Sequence, residues 1–180
     1  MTETLIAQAI LLKLNRAMDS LVPQAYGRGD LELCGVYLNR GRLFVLIGSL
    51  PILVAILYAK NAYLALDQDP KVIDVMDRYL RAYIPGIYFF VFSDLQRKFL
   101  TGLGRTRLPM LCFLAVTFLH PYMLRLFCED LDLGFEGIGY AGCATNLLAL
   151  MLLLTISFVD EEVRQALHFP DSRAFYGHWE

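Results

Sequence analysis

Long apolar blocks set off by short charged stretches are the feature that most restricts this chain. Residues 43–59, LFVLIGSLPILVAILYA, carry no charge, and residues 147–159, LLALMLLLTISFV, are as apolar. Such blocks are too long for one face of a small soluble core, and length with low charge is the signature of membrane spans. Overall composition agrees. Apolar residues reach 57% and charged residues 19%, against roughly 45–50% and about 25% in soluble domains.

Five segments are long or apolar enough to span: about 5–25, 36–58, 75–100, 108–127 and 138–158. The first is the most polar, with Lys13, Asn15, Arg16 and Asp19. A hydrocarbon core of roughly 30 Å needs about 20 helical residues. Helices are preferred to a β-barrel because the blocks are continuous and do not alternate. A lone helix also satisfies its own backbone in lipid. Pro51, Pro85 and Pro121 fall inside these spans. In a bundle, neighbouring helices can re-satisfy the carbonyls such prolines free, so kinks there are tolerated.

Charge sets the orientation. Arg28, Arg40 and Arg42 follow the first segment, Arg97, Lys98, Arg105 and Arg107 close the third, and Arg164 and Arg173 lie in the tail. The opposite loops are mixed (NAYLALDQDPKV) or acidic (CEDLDLGFE). The positive-inside rule puts the basic loops and the tail in the cytoplasm. It then puts the N-terminus outside, and the simplest account is a further helix ahead of the first segment.

Other function classes find little support. Net charge is −2, with no basic, aromatic-interleaved stripe for nucleic acid. Cys34, Cys112, Cys128 and Cys143 lack zinc-type spacing and read as free thiols, so neither metal nor cofactor is expected. There is no GxSxG, HExxH or Walker-type motif, and GLGRTR at 102–107 lacks the strand–loop–helix setting of a phosphate loop. The chain is not expected to be an enzyme.

Motifs in order carry a family resemblance. Residues 17–27 read AMDSLVPQAYG and continue to GVYLNRGR at 35–42; LDQDPKV, YLRAYIP, RKFLTGLGRTRLP and GFEGIGYAGCA follow at 66–72, 79–85, 97–109 and 134–144. This series resembles the second to sixth helices of multidrug and toxin extrusion (MATE) transporters. Pro23, Lys13 and Arg16 depart from the family pattern. The resemblance implies an all-α, polytopic transmembrane bundle of about five spans, an incomplete N-lobe of a MATE-like fold. Residues 1–159 would form the bundle, and 160–180, ending RQALHFPDSRAFYGHWE, the cytoplasmic segment linking two halves.

The resemblance further implies export of organic, often cationic, compounds in antiport with protons or sodium, across a plasma or internal membrane. The partners would be the bilayer, a small organic substrate with its coupling ion, and a complementary C-terminal half. The family's coupling acids lie in its first helix or its C-terminal half, so none is assigned here. The alternative is a non-transporting fragment or interaction subunit that needs that half.

Each residue singled out has a functional and a structural reading. Asp19 near a helix end reads first as an anchor paired with Arg16, and second as an intramembrane functional acid. Gln24, Tyr26 and Gly27 mark the helix-to-loop transition, with Gly27 the candidate left-handed cap. Pro85 belongs to the YLRAYIP motif. Asp94 is spaced to pair with Lys98 on one helix face. Tyr88, with Tyr83, Phe89, Phe90 and Phe92, could wall a cation cavity or face lipid. His120 could move a proton, or bond a carbonyl freed by Pro121. Asn146 could line a cavity or join helices, and Gly137, Gly139, Ala141, Gly142 and Ala144 suggest close helix packing.

Overall fold

The computed structural model describes residues 8–13, 15–65 and 69–167. Every element among them is helical: α1 (residues 8–13), a 3-10 turn (Asn15–Ala17), α2 (Met18–Gly27), α3 (Leu31–Ala65), α4 (Pro70–Gly102), α5 (Arg107–Arg125), a π turn (Leu126–Asp130), α6 (Gly134–Val159) and α7 (Glu161–Ala166). The all-α polytopic bundle is therefore as expected.

Among the described residues, three helices are long and apolar enough to cross a bilayer: α3, α5 with its π turn, and α6. Little of them is hidden inside the molecule. Only 6% of the most apolar window of α5 is buried, and 22% of that of α6. Water would penalise this exposure at about 25 cal/mol per Å2, whereas lipid does not. Leu111, Leu114, Phe118 and Tyr122 form such an exposed ridge on α5. The chain is an integral, multi-pass membrane protein.

The other two expected spans differ in kind. α4 has 33 residues, but its charges cluster toward both ends and its longest charge-free run is residues 82–93. Asp69 starts it by accepting from the Lys71 amide at 2.9 Å, with Pro70 in the first turn where a missing N–H costs nothing. The first expected span is broken into α1, the 3-10 turn and α2. The break falls at Asn15, whose buried amide turns from its own helix to bond α4. Residues 5–7 of that span lie outside the described residues.

Helix α3 begins at Leu31, earlier than expected, and its 35 residues would run about 52 Å. Arg40 and Arg42 therefore sit on the helix and not in a loop. Pro23, Pro51, Pro85 and Pro121 all lie within helices that continue past them, and all four are exposed. The Pro23 ring lies against α4, where Gly102 leaves room for it: a Cβ there would meet the Pro23 Cδ at 3.3 Å.

Helix α4 is the hub. It packs on α2, α3 and α6, while α6 also carries α5. The small residues of α6 explain the closeness. A Cβ on Gly139 would meet the Ala82 Cβ at 2.9 Å and the Tyr79 carbonyl oxygen at 3.1 Å; one on Gly142 would meet the Tyr83 ring at 2.6 Å. The expectation of close packing along this stripe holds.

Candidate functional site

The most elaborate polar site closes one pole of the bundle. α2 and α4 both end there in the same way. Gly29 (φ +77°) donates to the Tyr26 carbonyl and Asp30 to that of Ala25; Gly104 (φ +78°) donates to Thr101 and Arg105 to Leu100. This double bond pattern absorbs the last helical carbonyls and needs a residue that tolerates positive φ. Gly27, the expected cap, is the last helical residue, and Gly29 takes the left-handed position.

The turns aim side chains at the α6–α7 junction. Tyr26 donates its hydroxyl to Glu162 Oε1 at 2.8 Å. Arg105 donates from Nε to Asp160 Oδ2 at 2.8 Å and from Nη2 to Glu162 Oε2 at 2.6 Å. Asp160 also caps α7, accepting from the amides of Glu162 and Val163. The hydrogen bond from Arg105 holds the Asp160 carboxyl below its ordinary range, and the guanidinium is pushed up in return. Acceptance by Glu162 raises the Tyr26 phenol. The three segments whose charges predicted a common side thus meet at one pole. Arg105 had been legible only as a loop charge, and Asp160 and Glu162 carried no signal in the sequence.

Below this clamp runs a strip of buried polar groups on α4. Asp94 is 6% exposed. It accepts from Asn15 Nδ2 at 3.0 Å and from Arg97 one turn on. Lys98 pairs with Asp19 at 2.6 Å. Both expected pairings are therefore replaced: Asp94 takes Arg97 instead of Lys98, and Asp19 takes Lys98 instead of Arg16. The helix-bundle geometry decides this, because Lys98 points to the α2 seam and Arg97 does not. Gln96 joins three helices, donating to Ser157 Oγ at 2.7 Å and accepting from Arg42 at 3.3 Å. Desolvation makes each such group costly alone, so mutual pairing is what allows them inside. Among the described residues, buried Asn15 Oδ1 meets no hydrogen-bond donor.

Nearer the middle, Tyr83 is a second hub. Its hydroxyl accepts from Gln8 at 2.9 Å and from Asn146 at 3.3 Å, and its ring stacks on Tyr79 at 5.8 Å. Asn146 also donates to the Gly86 carbonyl at 3.1 Å, so it joins α6 to α4. His120 Nδ1 lies 3.0 Å from Thr145 Oγ1, which is itself 2.7 Å from the Ala141 carbonyl. When the single hydroxyl proton serves Ala141, Nδ1 must be the donor. The expected bond to a carbonyl freed by Pro121 is not formed; the imidazole turns to α6.

Tyr88 donates to Ser49 Oγ on α3 at 3.3 Å, since the one Ser49 hydroxyl proton serves the Leu46 carbonyl at 2.8 Å. It borders a gap of about 10 Å3, room for about one water and no organic ion. Tyr88, His120 and Asn146 thus occupy three separate seams, α3–α4, α5–α6 and α4–α6. Gln24 is exposed, its carbonyl accepting from Arg28 at 3.3 Å, and Pro85 is exposed on α4. Among the described residues no three His, Cys, Asp or Glu side chains are grouped to hold a metal.

Comparison with known proteins places this architecture. The MatE family model matches residues 1–125. Multidrug and toxin extrusion protein 1 of Oryctolagus cuniculus is 31% identical over 153 residues, which is 85% of this chain and 27% of that protein. Protein DETOXIFICATION 52 of Arabidopsis thaliana is 32% identical over 146 residues, 81% of this chain and 29% of that protein. The inward-facing structure of a multidrug resistance MATE family transporter superposes with a TM-score of 0.74 at 17% identity, covering 97% of this chain and 40% of that one. The chain therefore spans under a third of the length of these curated relatives, and it shares the fold of the solved transporter over nearly all of its own length. With its multi-pass helical bundle and a family match over most of its length, the chain belongs to the MATE (MatE) family.

Proposed function

We propose that this chain forms part of a MATE-type transporter that exports organic, often cationic, compounds in antiport with protons or sodium. The observation that carries this is the family match over residues 1–125, together with relatives named for multidrug and toxin extrusion. Residues 1–159 would be the helical bundle of one lobe, and 160–180 the start of the link to the other; residues 168–180 lie outside the described residues. The docking of α7 by Tyr26 and Arg105 supports that division, since it ties the link to its own lobe. In such transporters substrate sits near the midplane between two rocking halves. The interior groups of this lobe that could meet it are Tyr88, His120 and Asn146. Asp19, Gln24, Tyr26, Gly27, Pro85 and Asp94 would maintain the lobe.

A second reading is a non-transporting subunit that acts only with a complementary half. One experiment separates the two. The chain is reconstituted in vesicles loaded with a fluorescent organic cation, and a proton or sodium gradient is imposed. Gradient-driven efflux by the chain alone would sink the subunit reading. Efflux only when a C-terminal half is supplied would support it, and no efflux in either case would sink the transporter proposal.

A further inference from the structure

An open groove of about 410 Å3 runs between the last turns of α4 and the first half of α5. Its composition changes along its length. At the pole it is bordered by Arg97 and Thr101 of α4 and by Thr106, the residue that starts α5. Deeper in, its wall is Met110, Phe113 and Leu114. Thr106, Met110, Phe113 and Thr117 lie on one face of α5 over about 16 Å. Thr117 closes the apolar end, because its hydroxyl is spent on the Phe113 carbonyl at 2.7 Å and presents only its methyl.

The polar end is suited to an anion. Arg97 gives one edge of its guanidinium to Asp94, and its side chain is still 41% exposed. A guanidinium has five N–H donors, so most remain for a second acceptor. Thr106 makes no side-chain cap bond, and the first turn of α5 holds no acid to offset the positive end of its dipole. The groove is thus cationic and hydroxylic at the bundle end and apolar toward the bilayer centre.

We propose that this groove holds one anionic phospholipid, with its phosphate between Arg97 and the N-terminus of α5 and an acyl chain along Met110, Phe113 and Leu114. A phospholipid has the same two-part chemistry in the same order. The pole concerned carries the basic loop Arg105–Arg107 and Arg28, and the positive-inside rule puts such a pole in the leaflet rich in anionic lipid. A water-soluble phosphate would leave the apolar wall uncovered. A peptide helix would have to bury the free face of Arg97 opposite an acid of its own.

Native mass spectrometry of the detergent-purified chain tests this. It is titrated in parallel with dioleoyl phosphatidylglycerol, with dioleoyl phosphatidylcholine and with inorganic phosphate. The expected result is one bound phosphatidylglycerol, preferred roughly fivefold over phosphatidylcholine, as one basic side chain at a lipid surface allows. Leu114→Trp should fill the groove and abolish the bound lipid without touching the ion pair. Arg97→Gln combined with Asp94→Asn removes both charges together, so no buried carboxylate is stranded; it should retain the fold and lose the preference. Equal binding of the two lipids, binding of inorganic phosphate alone, unchanged preference in both variants, or a chain dimer that excludes lipid would each overturn the proposal.

Discussion

Lys98 of α4 and Asp19 of α2 meet at 2.6 Å across 79 residues of chain, with Lys98 nearly buried and Asp19 half-exposed. The asymmetry of burial matters more than the distance. Removing the carboxylate strands an ammonium that cannot easily reach water, whereas removing the ammonium leaves a carboxylate that can.

Asp19→Ala is therefore expected to destabilise the chain by about 1–2 kcal/mol, discounted from the value for a fully buried pair because Asp19 is partly solvated. Lys98→Met should cost less than about 1 kcal/mol, since its stem already packs among apolar groups. Unfolding in detergent, followed with a thiol-reactive dye, checks the order. The reverse ranking would show that the exposed partner controls the pair.

The pole clamp should respond to acid. Asp160 is held below its ordinary value of 3.8 by Arg105. Its contribution is complete above 3.8 and is lost as pH falls through the depressed value. Tyr26, raised above 10.0 by Glu162, acts in the opposite sense: its contribution is present below 10.0 and is lost at still higher pH. Hydrogen exchange of the α7 amides should accelerate at both extremes. Asp160→Asn should remove the acid response, and Tyr26→Phe the alkaline one.

Three glycines should separate by role. Gly27 is helical and a Cβ there meets nothing within 4 Å, so Gly27→Ala should stabilise by about 0.5–1 kcal/mol. Gly29 has the same open space but φ of +77°, so Gly29→Ala should cost about 1 kcal/mol. At Gly139 the obstacle is backbone and an alanine methyl, which have little freedom to yield. Gly139→Ala should cost about 1–3 kcal/mol. Melting temperatures of the three variants side by side test this.

The Tyr83 hub should show coupling. Asn146→Ala and Tyr83→Phe each remove one end of the same bond, at about 1 kcal/mol apiece. Their double variant should cost less than the sum, because the shared bond is lost once. Strict additivity would mean that Asn146 works only through the Gly86 carbonyl.

Much of this was legible because lipid leaves few choices. A charge-free run the length of residues 43–59 has one stable fate in a bilayer, so the helical class, the lipid-facing blocks and the common side of the basic segments followed from residue order alone. The motif series around AMDSLVPQAYG and GRTRLP named the family for the same reason: it is written in consecutive residues. Partner choice is not written that way. Asp94 sits at equally good helical spacings from Arg97 and Lys98, and Asp19 has Arg16 close by. Only the packing of α4 against α2 and the 3-10 turn, which sends Lys98 to Asp19 and Asn15 to Asp94, breaks that tie. The clamp of Tyr26, Arg105, Asp160 and Glu162 depends likewise on three turns meeting at one pole. Local periodicity reports which face of a helix is apolar, but charged side chains are satisfied across helices, and that is a property of the assembled bundle.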